Sequence, residues 1–152
     1  VENTAVTTVE GEPIVLAIQE ACCLSFDRHR PMKLSAVDFP MEGSPEPLMN
    51  DEFDKFNEIA LQYKEVYQQK ILPQHIDMSH HMNNIEYVKL ALNVFSTEDL
   101  ELCTPSELEV HFLGESLEGQ TLRIFRAEHN GATYMKILEG ERAVFEMKMR
   151  MM

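Results

Sequence analysis

Apolar and polar positions alternate in a way that divides the chain into an extended N-terminal part, a helix and a run of strands. Residues 6–26 predict a β-hairpin, because a Gly-Glu turn at residues 11–12 separates two β-prone runs. Residues 37–54 are rich in Pro, Gly, Glu and Ser, which is typical of a linker or a long surface loop. A short helix over residues 51–63 and a strand over residues 66–72 are predicted to follow.

Residues 83–95 predict a buried α-helix. Asn83 is a suitable N-cap, since its side-chain oxygen can accept a hydrogen bond from the first helical turn. Nearly all the following positions are apolar or good helix formers, and the apolar positions surround the helix. A helix that is apolar on every side is stable only inside a protein, so we expect other elements to enclose it.

After Pro105 the pattern changes to the two-residue period of strands. Asn-Gly at residues 130–131 is a strong signal for a tight hairpin, and a second turn is predicted at residues 139–140. In the last strand, residues 142–151, apolar residues alternate with charged ones, so we expect one packed face and one solvated face. The predicted fold is α+β: a strand, the buried helix, then four antiparallel strands wrapped around it.

Composition and charge restrict the possible functions. The 152 residues suffice for one well-buried domain, and a net charge of −13 argues against binding nucleic acid. No apolar stretch is long enough to span a bilayer, and the N-terminus lacks a secretion signal, so we expect no membrane insertion. Three cysteines do not make a disulfide framework, which favours a reducing, cytoplasmic location. Basic residues at 28–33 and 142–150 are interpreted as solvated surface.

The segment HIDMSHHMNNIEY, residues 75–87, concentrates the polar chemistry of the chain. An acid, a hydroxyl, two histidines and two asparagines fall within the ten positions from Asp77 to Glu86. A core seldom tolerates so many polar groups unless each is paired. The first turn of the predicted helix has free N–H groups and a positive dipole end, so negative charge is stabilised there. This segment is the predicted functional site.

The same segment resembles the motif DxDxNxHVNNxxY of the bacterial and plant acyl-ACP thioesterases, in which a helix and later a strand with an acid follow. Matching motif positions are occupied by Asp77, His81, Asn83, Asn84 and Tyr87. The later segment LEVHFLGES is similar to the family strand that ends in the catalytic acid, and this places Glu115 there. The resemblance covers residues 11–150. It implies a hotdog fold and hydrolysis of the thioester between a fatty acyl chain and acyl carrier protein (ACP), the expected partner.

The resemblance also implies a domain organisation, because the family has two hotdogs in one chain. Residues 1–37 correspond to the closing strands of a first hotdog, residues 38–62 to a linker with a short helix, and residues 63–152 to the C-terminal hotdog. A chain without most of the first half exposes apolar edges that this half would cover, so we expect a homodimer.

Three residues depart from the family pattern. His75 replaces the first acid of the motif, and Ser116 replaces a cysteine after the catalytic glutamate. The most consequential change is Ser79, which stands where the family has a catalytic asparagine. A hydroxyl is shorter than an amide and offers one donor instead of two.

The resemblance implies a catalytic set made of Asp77, Ser79, His81 and Glu115, and the division of roles within it is open. Either carboxylate is a candidate general base for water, and His81 can share that role or protonate the leaving thiolate. The backbone N–H groups of Asn83 and Asn84 are candidate oxyanion donors at the helix start. No metal or other cofactor is expected.

Purely structural interpretations stand beside these roles. Asp77 can cap the loop, His81 can brace it, and Tyr87 can be a core aromatic. Strict alternation places Glu115 on the face opposite Phe112, so its catalytic role requires a bulge, for which Gly114 is a candidate. The ten methionines can line an acyl tunnel or simply fill the core.

Other chemistries are less well supported. A metal site would use His75, Asp77, His80 and His81, but these residues form no regular i, i+4 helical pair and no cysteine joins them. Cys103 as a nucleophile lacks an electropositive neighbourhood that would lower its pKa. The alternatives to an acyl-ACP thioesterase are an acyl-CoA thioesterase of the same fold, with Asp77 as its essential acid, and a non-catalytic acyl-binding or structural hotdog.

Overall fold

A computed structural model describes residues 2–20, 24–25, 30–32, 52–102 and 104–152 of the chain. They belong to two units, Val1–Glu52 and Phe53–Met152. In the first unit, β1 (Glu2–Thr7) pairs antiparallel with β2 (Pro13–Gln19), and β3 (Leu24–Ser25) pairs with β4 (Arg30–Pro31).

The hairpin predicted near the N-terminus is confirmed in β1 and β2. Its turn is longer than two residues, because the Thr8 N–H donates to the Glu12 carbonyl at 2.8 Å. The predicted surface loop lies outside the described residues as far as residue 51. The two units divide after Glu52, whereas the domain boundaries that the sequence suggests stay a prediction.

The second unit contains a five-stranded antiparallel sheet and two helices. Its elements are β5 (Lys64–Lys70), α1 (Asn84–Leu92), α2 (Thr97–Leu102), β6 (Pro105–Phe112), β7 (Thr121–His129), β8 (Ala132–Glu139) and β9 (Arg142–Met151). The strand order is β5-β7-β8-β9-β6, and every pairing is antiparallel. One strand, a buried helix and four further strands follow one another along the chain, so the predicted architecture is confirmed.

Helix α1 begins where the sequence predicts. The Asn83 side chain accepts the Ile85 N–H at 2.9 Å and caps the first turn. The helix ends at Leu92, three residues before the predicted end, and single turns follow up to Phe95. Its inward side chains pack on the sheet in a core that includes Tyr87, Leu90, Ala91, Ile124, Ile137, Phe145 and Met147. Burying this apolar surface fixes the helix, and therefore its N-terminus, against the sheet.

The opposite face of the sheet is covered by the chain segment that precedes β5. The prediction of a short α-helix over residues 51–63 is wrong, since the described part contains only a 3-10 turn at Phe56–Glu58. Phe56 is 3% exposed; its ring stacks on His111 with centroids 4.6 Å apart and meets Tyr134 edge-on. Spreading the apolar side chains over the sheet buries them better than one helical turn would.

This cover also overturns the expectation that the charged face of the last strand is solvated. Glu146 and Lys148 are each only 7% exposed. Lys148 donates to Asp54 at 2.6 Å and to Glu107, while Glu146 pairs with Lys136 at 2.7 Å. Burial alone would lower the pKa of Lys148, but the hydrogen bonds to the two carboxylates outweigh it and raise that pKa.

Within the part of the chain that the structure describes, the helices fall short of the length and apolar character needed to cross a bilayer.

Replacing Lys148 with methionine tests the buried ion network. The change leaves Asp54 and Glu107 without their shared cation. Because both acids are partly exposed, we expect unfolding free energy to fall by about 1–3 kcal/mol, below the loss for a fully buried pair. Urea denaturation measures the change. In the matched control Lys55→Met, which removes a fully solvated pair with Glu58, the loss should stay under about 0.5 kcal/mol.

Acid should weaken the same network. The hydrogen bond from Lys148 holds the pKa of Glu107 below its ordinary value of 4.5. A lowered folded-state pKa stabilises the protein above the unfolded value, and this contribution disappears as the pH falls through the folded pKa. We therefore expect the stability of the wild type to fall more steeply between about pH 5 and pH 3 than that of Glu107→Gln. Identical slopes in denaturation series at several pH values would contradict this.

Candidate active site

The polar segment forms a tight turn immediately before helix α1. Ile76 and Met82 pair as an isolated antiparallel bridge. Inside it, the Asp77 N–H donates to the His81 carbonyl at 2.9 Å, and the His80 N–H donates to the Asp77 carbonyl at 3.1 Å. His80 adopts a left-handed conformation with φ of 64°, which closes the turn. The turn therefore presents His81 just before the helix starts.

Asp77 stabilises this turn with its side chain. Its carboxylate accepts the Ser79 N–H at 2.8 Å, the geometry of an Asx-turn. Both residues are exposed. The structural interpretation of Asp77 thus has direct support in the hydrogen bonds of the turn.

His75 is buried beneath the turn and holds both of its ends. Its Nδ1 accepts the Leu72 N–H at 3.1 Å, and its carbonyl accepts the Asn83 N–H at 2.9 Å. The Asn83 N–H is therefore occupied, which corrects the expectation that it is a free oxyanion donor. Among the described residues the Asn84 N–H has no hydrogen-bond partner, so it is the remaining candidate donor at the helix start.

Glu115 lies in an irregular segment after β6. The N–H groups of Leu113 and Gly114 both donate to the Val144 carbonyl, at 2.9 and 3.1 Å. Two consecutive N–H groups on one carbonyl are the pattern of a β-bulge, so the strict alternation of β6 ends here, as a catalytic Glu115 requires. The Ser116 carbonyl then accepts the Met82 N–H at 2.9 Å, which joins this segment to the polar turn.

That junction brings His81 and Glu115 together. Nε2 of His81 lies 3.2 Å from Oε2 of Glu115, and their side chains are 39% and 67% exposed. Both residues border an open cavity of about 490 Å³. Its lining consists of His81, Gly114, Glu115, Leu117, Gln120 and Arg142. Asp77 and Ser79 do not belong to this lining, so the structure joins only two of the four predicted catalytic side chains in one cavity.

Ser116 and Tyr87 lie behind the cavity. Ser116 is fully buried, so its hydroxyl cannot reach a substrate in this conformation. Tyr87 is 2% exposed and stacks on Phe145 with centroids 5.8 Å apart, as a core aromatic does. Burial raises the pKa of Tyr87, while hydrogen bonds from Ser116 and the charge of Arg142 oppose the rise.

Metal ligands are grouped elsewhere. Among the described residues, the acids close enough to share an ion are Asp54, Glu107 and Glu109, and the Lys148 amine already binds two of them. The histidines of the polar turn do not belong to this group. Cys103 lies outside the described residues.

Residues 58–148 match the family model of the acyl-ACP thioesterase C-terminal domain. The chain belongs to this family. The crystal structure of an acyl-ACP thioesterase from Bacteroides thetaiotaomicron VPI-5482 is similar, with 17% identity and a TM-score of 0.67 over 99% of this chain. The chain spans 61% of the length of that protein. No curated protein sequence matches it.

Smaller proteins share the hotdog fold of the family. One is smu.793 from Streptococcus mutans UA159, solved bound to acetyl CoA, at 10% identity and a TM-score of 0.50. It covers 61% of this chain, which in turn covers 89% of it. Another is a mutant of the phenylacetic acid degradation protein PaaI from Thermus thermophilus, at 13% identity and a TM-score of 0.50, with coverages of 64% and 97%. These likenesses show the fold alone.

Stability measurements should separate the cavity residues from the residue that supports the turn. We expect Glu115→Gln and His81→Asn to change unfolding free energy by less than about 0.5 kcal/mol, because their contact is solvated. Asp77→Ala should cost about 0.5–1.5 kcal/mol, since the Ser79 N–H loses its acceptor. Thermal and urea denaturation of the three variants measure the difference. Equal losses in all three would contradict this division.

Proposed function

We propose that the chain hydrolyses fatty acyl-ACP thioesters and releases the free fatty acid. The observation that carries this proposal is the contact of His81 with Glu115 in an open cavity at the start of a buried helix. Membership of a thioesterase family supports the reaction class. The finer assignment to ACP as the carrier rests on the family name.

The cavity geometry supports Glu115 as the general base. Its carboxylate takes a proton from water, whose oxygen attacks the thioester carbonyl carbon. The carbon–sulfur bond then breaks, and the thiolate leaves with a proton. His81, at hydrogen-bond distance from Glu115, can pass the proton on to the thiolate, since its unperturbed pKa lies near neutrality. Each group thereby returns to its starting state.

The remaining predicted residues have supporting roles in this proposal. The N–H of Asn84 at the helix start is the candidate donor to the developing oxyanion, where the helix dipole also helps. Asp77 acts by holding the turn that carries His81, because its carboxylate already accepts the Ser79 N–H. Ser79 then contributes its backbone to the turn, which reduces the consequence of losing the family's asparagine side chain.

Turnover by single variants tests the proposal. We expect Glu115→Gln and His81→Asn to lower kcat by at least about 100-fold, the usual scale for a lost acid or base. Asp77→Asn should lower it by about tenfold or less, since an amide oxygen can still accept the Ser79 N–H. The measurement is release of free thiol from a series of acyl-ACPs of different chain length.

Neighbouring residues supply matched controls. Glu118 is an exposed acid three residues beyond Glu115, and His80 is the exposed histidine beside His81. Glu118→Gln and His80→Asn should keep kcat within about twofold of the wild type, and asparagine also tolerates the left-handed conformation of residue 80. Full activity in both Glu115→Gln and His81→Asn would leave a non-catalytic acyl-binding hotdog.

An acyl-CoA thioesterase is the second candidate, since the cavity recognises the thioester and not the carrier. Comparing kcat/KM for acyl-ACP and acyl-CoA of equal chain length separates the two. The net charge of −13 opposes docking of an acidic carrier protein, so preference for ACP requires a local basic surface. Preference for acyl-CoA would assign the chain to the alternative.

A further inference from the structure

Arg142 borders the candidate active site, although no role in the proposed reaction is assigned to it. It is the first residue of β9 and pairs in register with Glu139, the last residue of β8. Its Nη2 donates to the Glu115 carbonyl at 2.7 Å and lies 3.6 Å from Oε2 of Glu139. The guanidinium therefore links the end of a regular hairpin to the irregular segment that carries Glu115.

Gly114 makes room for this guanidinium. A Cβ atom on Gly114 would lie 3.1 Å from Nη1 of Arg142, tighter than ordinary contact. Gly114 is not among the glycines with positive φ, so its backbone conformation does not demand glycine. The absence of a side chain at residue 114 thus allows Arg142 to approach the backbone of the segment.

A second hydrogen-bonded arm starts from the same glutamate. Oε1 of Glu139 accepts Nε2 of Gln120 at 3.3 Å, and Oε1 of Gln120 accepts the Leu117 N–H at 2.6 Å. Glu139 thereby reaches the segment at two points, through Arg142 at residue 115 and through Gln120 at Leu117. Both arms border the cavity.

These contacts matter because the segment lacks the ladder of a strand. Residues 113–117 have no regular secondary structure, and the Glu115 side chain is 67% exposed. Packing alone cannot hold such a side chain in one orientation. A charged donor on the carbonyl of Glu115 itself is a strong restraint, since ionised donors make stronger hydrogen bonds than neutral ones.

We propose that Arg142 is a positioning residue: together with Glu139 and Gln120 it holds residues 113–117 so that the Glu115 carboxylate stays against His81. The proposal rests on the proposed thioesterase activity of that site. Arg142 touches neither the water nor the thioester in this scheme. It acts through the backbone of Glu115, and a productive orientation is worth a large factor in rate.

Turnover by Arg142 variants is the first test. Arg142→Met keeps the aliphatic stem and removes all donors, so we expect kcat to fall by about 10- to 100-fold. KM should change by less than about threefold, because the substrate is still bound. Arg142→Lys keeps the charge and one donor and should recover part of kcat. Arg123, on β7 with its guanidinium paired to Glu65 at 2.7 Å, gives the matched control Arg123→Met, expected to stay within about twofold.

Amide hydrogen exchange tests the positioning without any turnover. The N–H groups of Leu113, Gly114 and Met82 all hydrogen-bond at the segment. In Arg142→Met we expect their exchange to be faster by about fivefold or more, with the core amides of β8 unchanged. Arg123→Met should show no such local effect.

The outcomes separate this proposal from the proposed function. If the wild type hydrolyses no thioester but Arg142→Met shows faster local exchange, the positioning role stands and the proposed function fails. Unchanged exchange at the three amides overturns the positioning role, as does a wild-type kcat in Arg142→Met. A fall in kcat with faster exchange throughout the sheet shows general destabilisation and overturns it as well.

Discussion

The hydrogen bond from the Met82 N–H to the Ser116 carbonyl joins the two parts of the chain on which the candidate site depends. One part is the polar turn before helix α1, and the other is the bulged segment after β6. Each is irregular, and neither carries enough side chains for the proposed chemistry alone. Because the buried helix fixes the first and the sheet fixes the second, this bond brings His81 within 3.2 Å of Glu115.

The two faces of the sheet are covered by different means. Helix α1 buries one face with aliphatic and aromatic side chains. The other face carries a smaller apolar group around Phe56 and a network of ion pairs around Lys148. Apolar burial is insensitive to pH, whereas ion pairs respond to pH and salt. The site therefore rests on the face whose packing is indifferent to solution conditions.

Local signals allowed much of the fold to be predicted from the sequence. Asn83 capped a run of helix formers, and Asn-Gly at residues 130–131 fixed a hairpin. The covering segment was mispredicted because Phe56 has helix-like spacing from its apolar neighbours, yet its partners are His111 and Tyr134, distant in sequence. Helix α2 was missed although Ser96 and Asp99 form its reciprocal capping box. In the site, the motif predicted His81 and Glu115, but no pattern in the sequence reveals that the Asn83 N–H is occupied or that Arg142 reaches across to residue 115.

The close approach of Gly114 and Arg142 makes these two positions interdependent, though 28 residues separate them in the sequence. A methyl group at the first position crowds the guanidinium, and a shorter side chain at the second leaves the space beside the glycine empty. Relatives that keep this arrangement are therefore constrained to vary the two positions together, and a chimera that mixes them from different lineages inherits a mismatch beside the reactive acid.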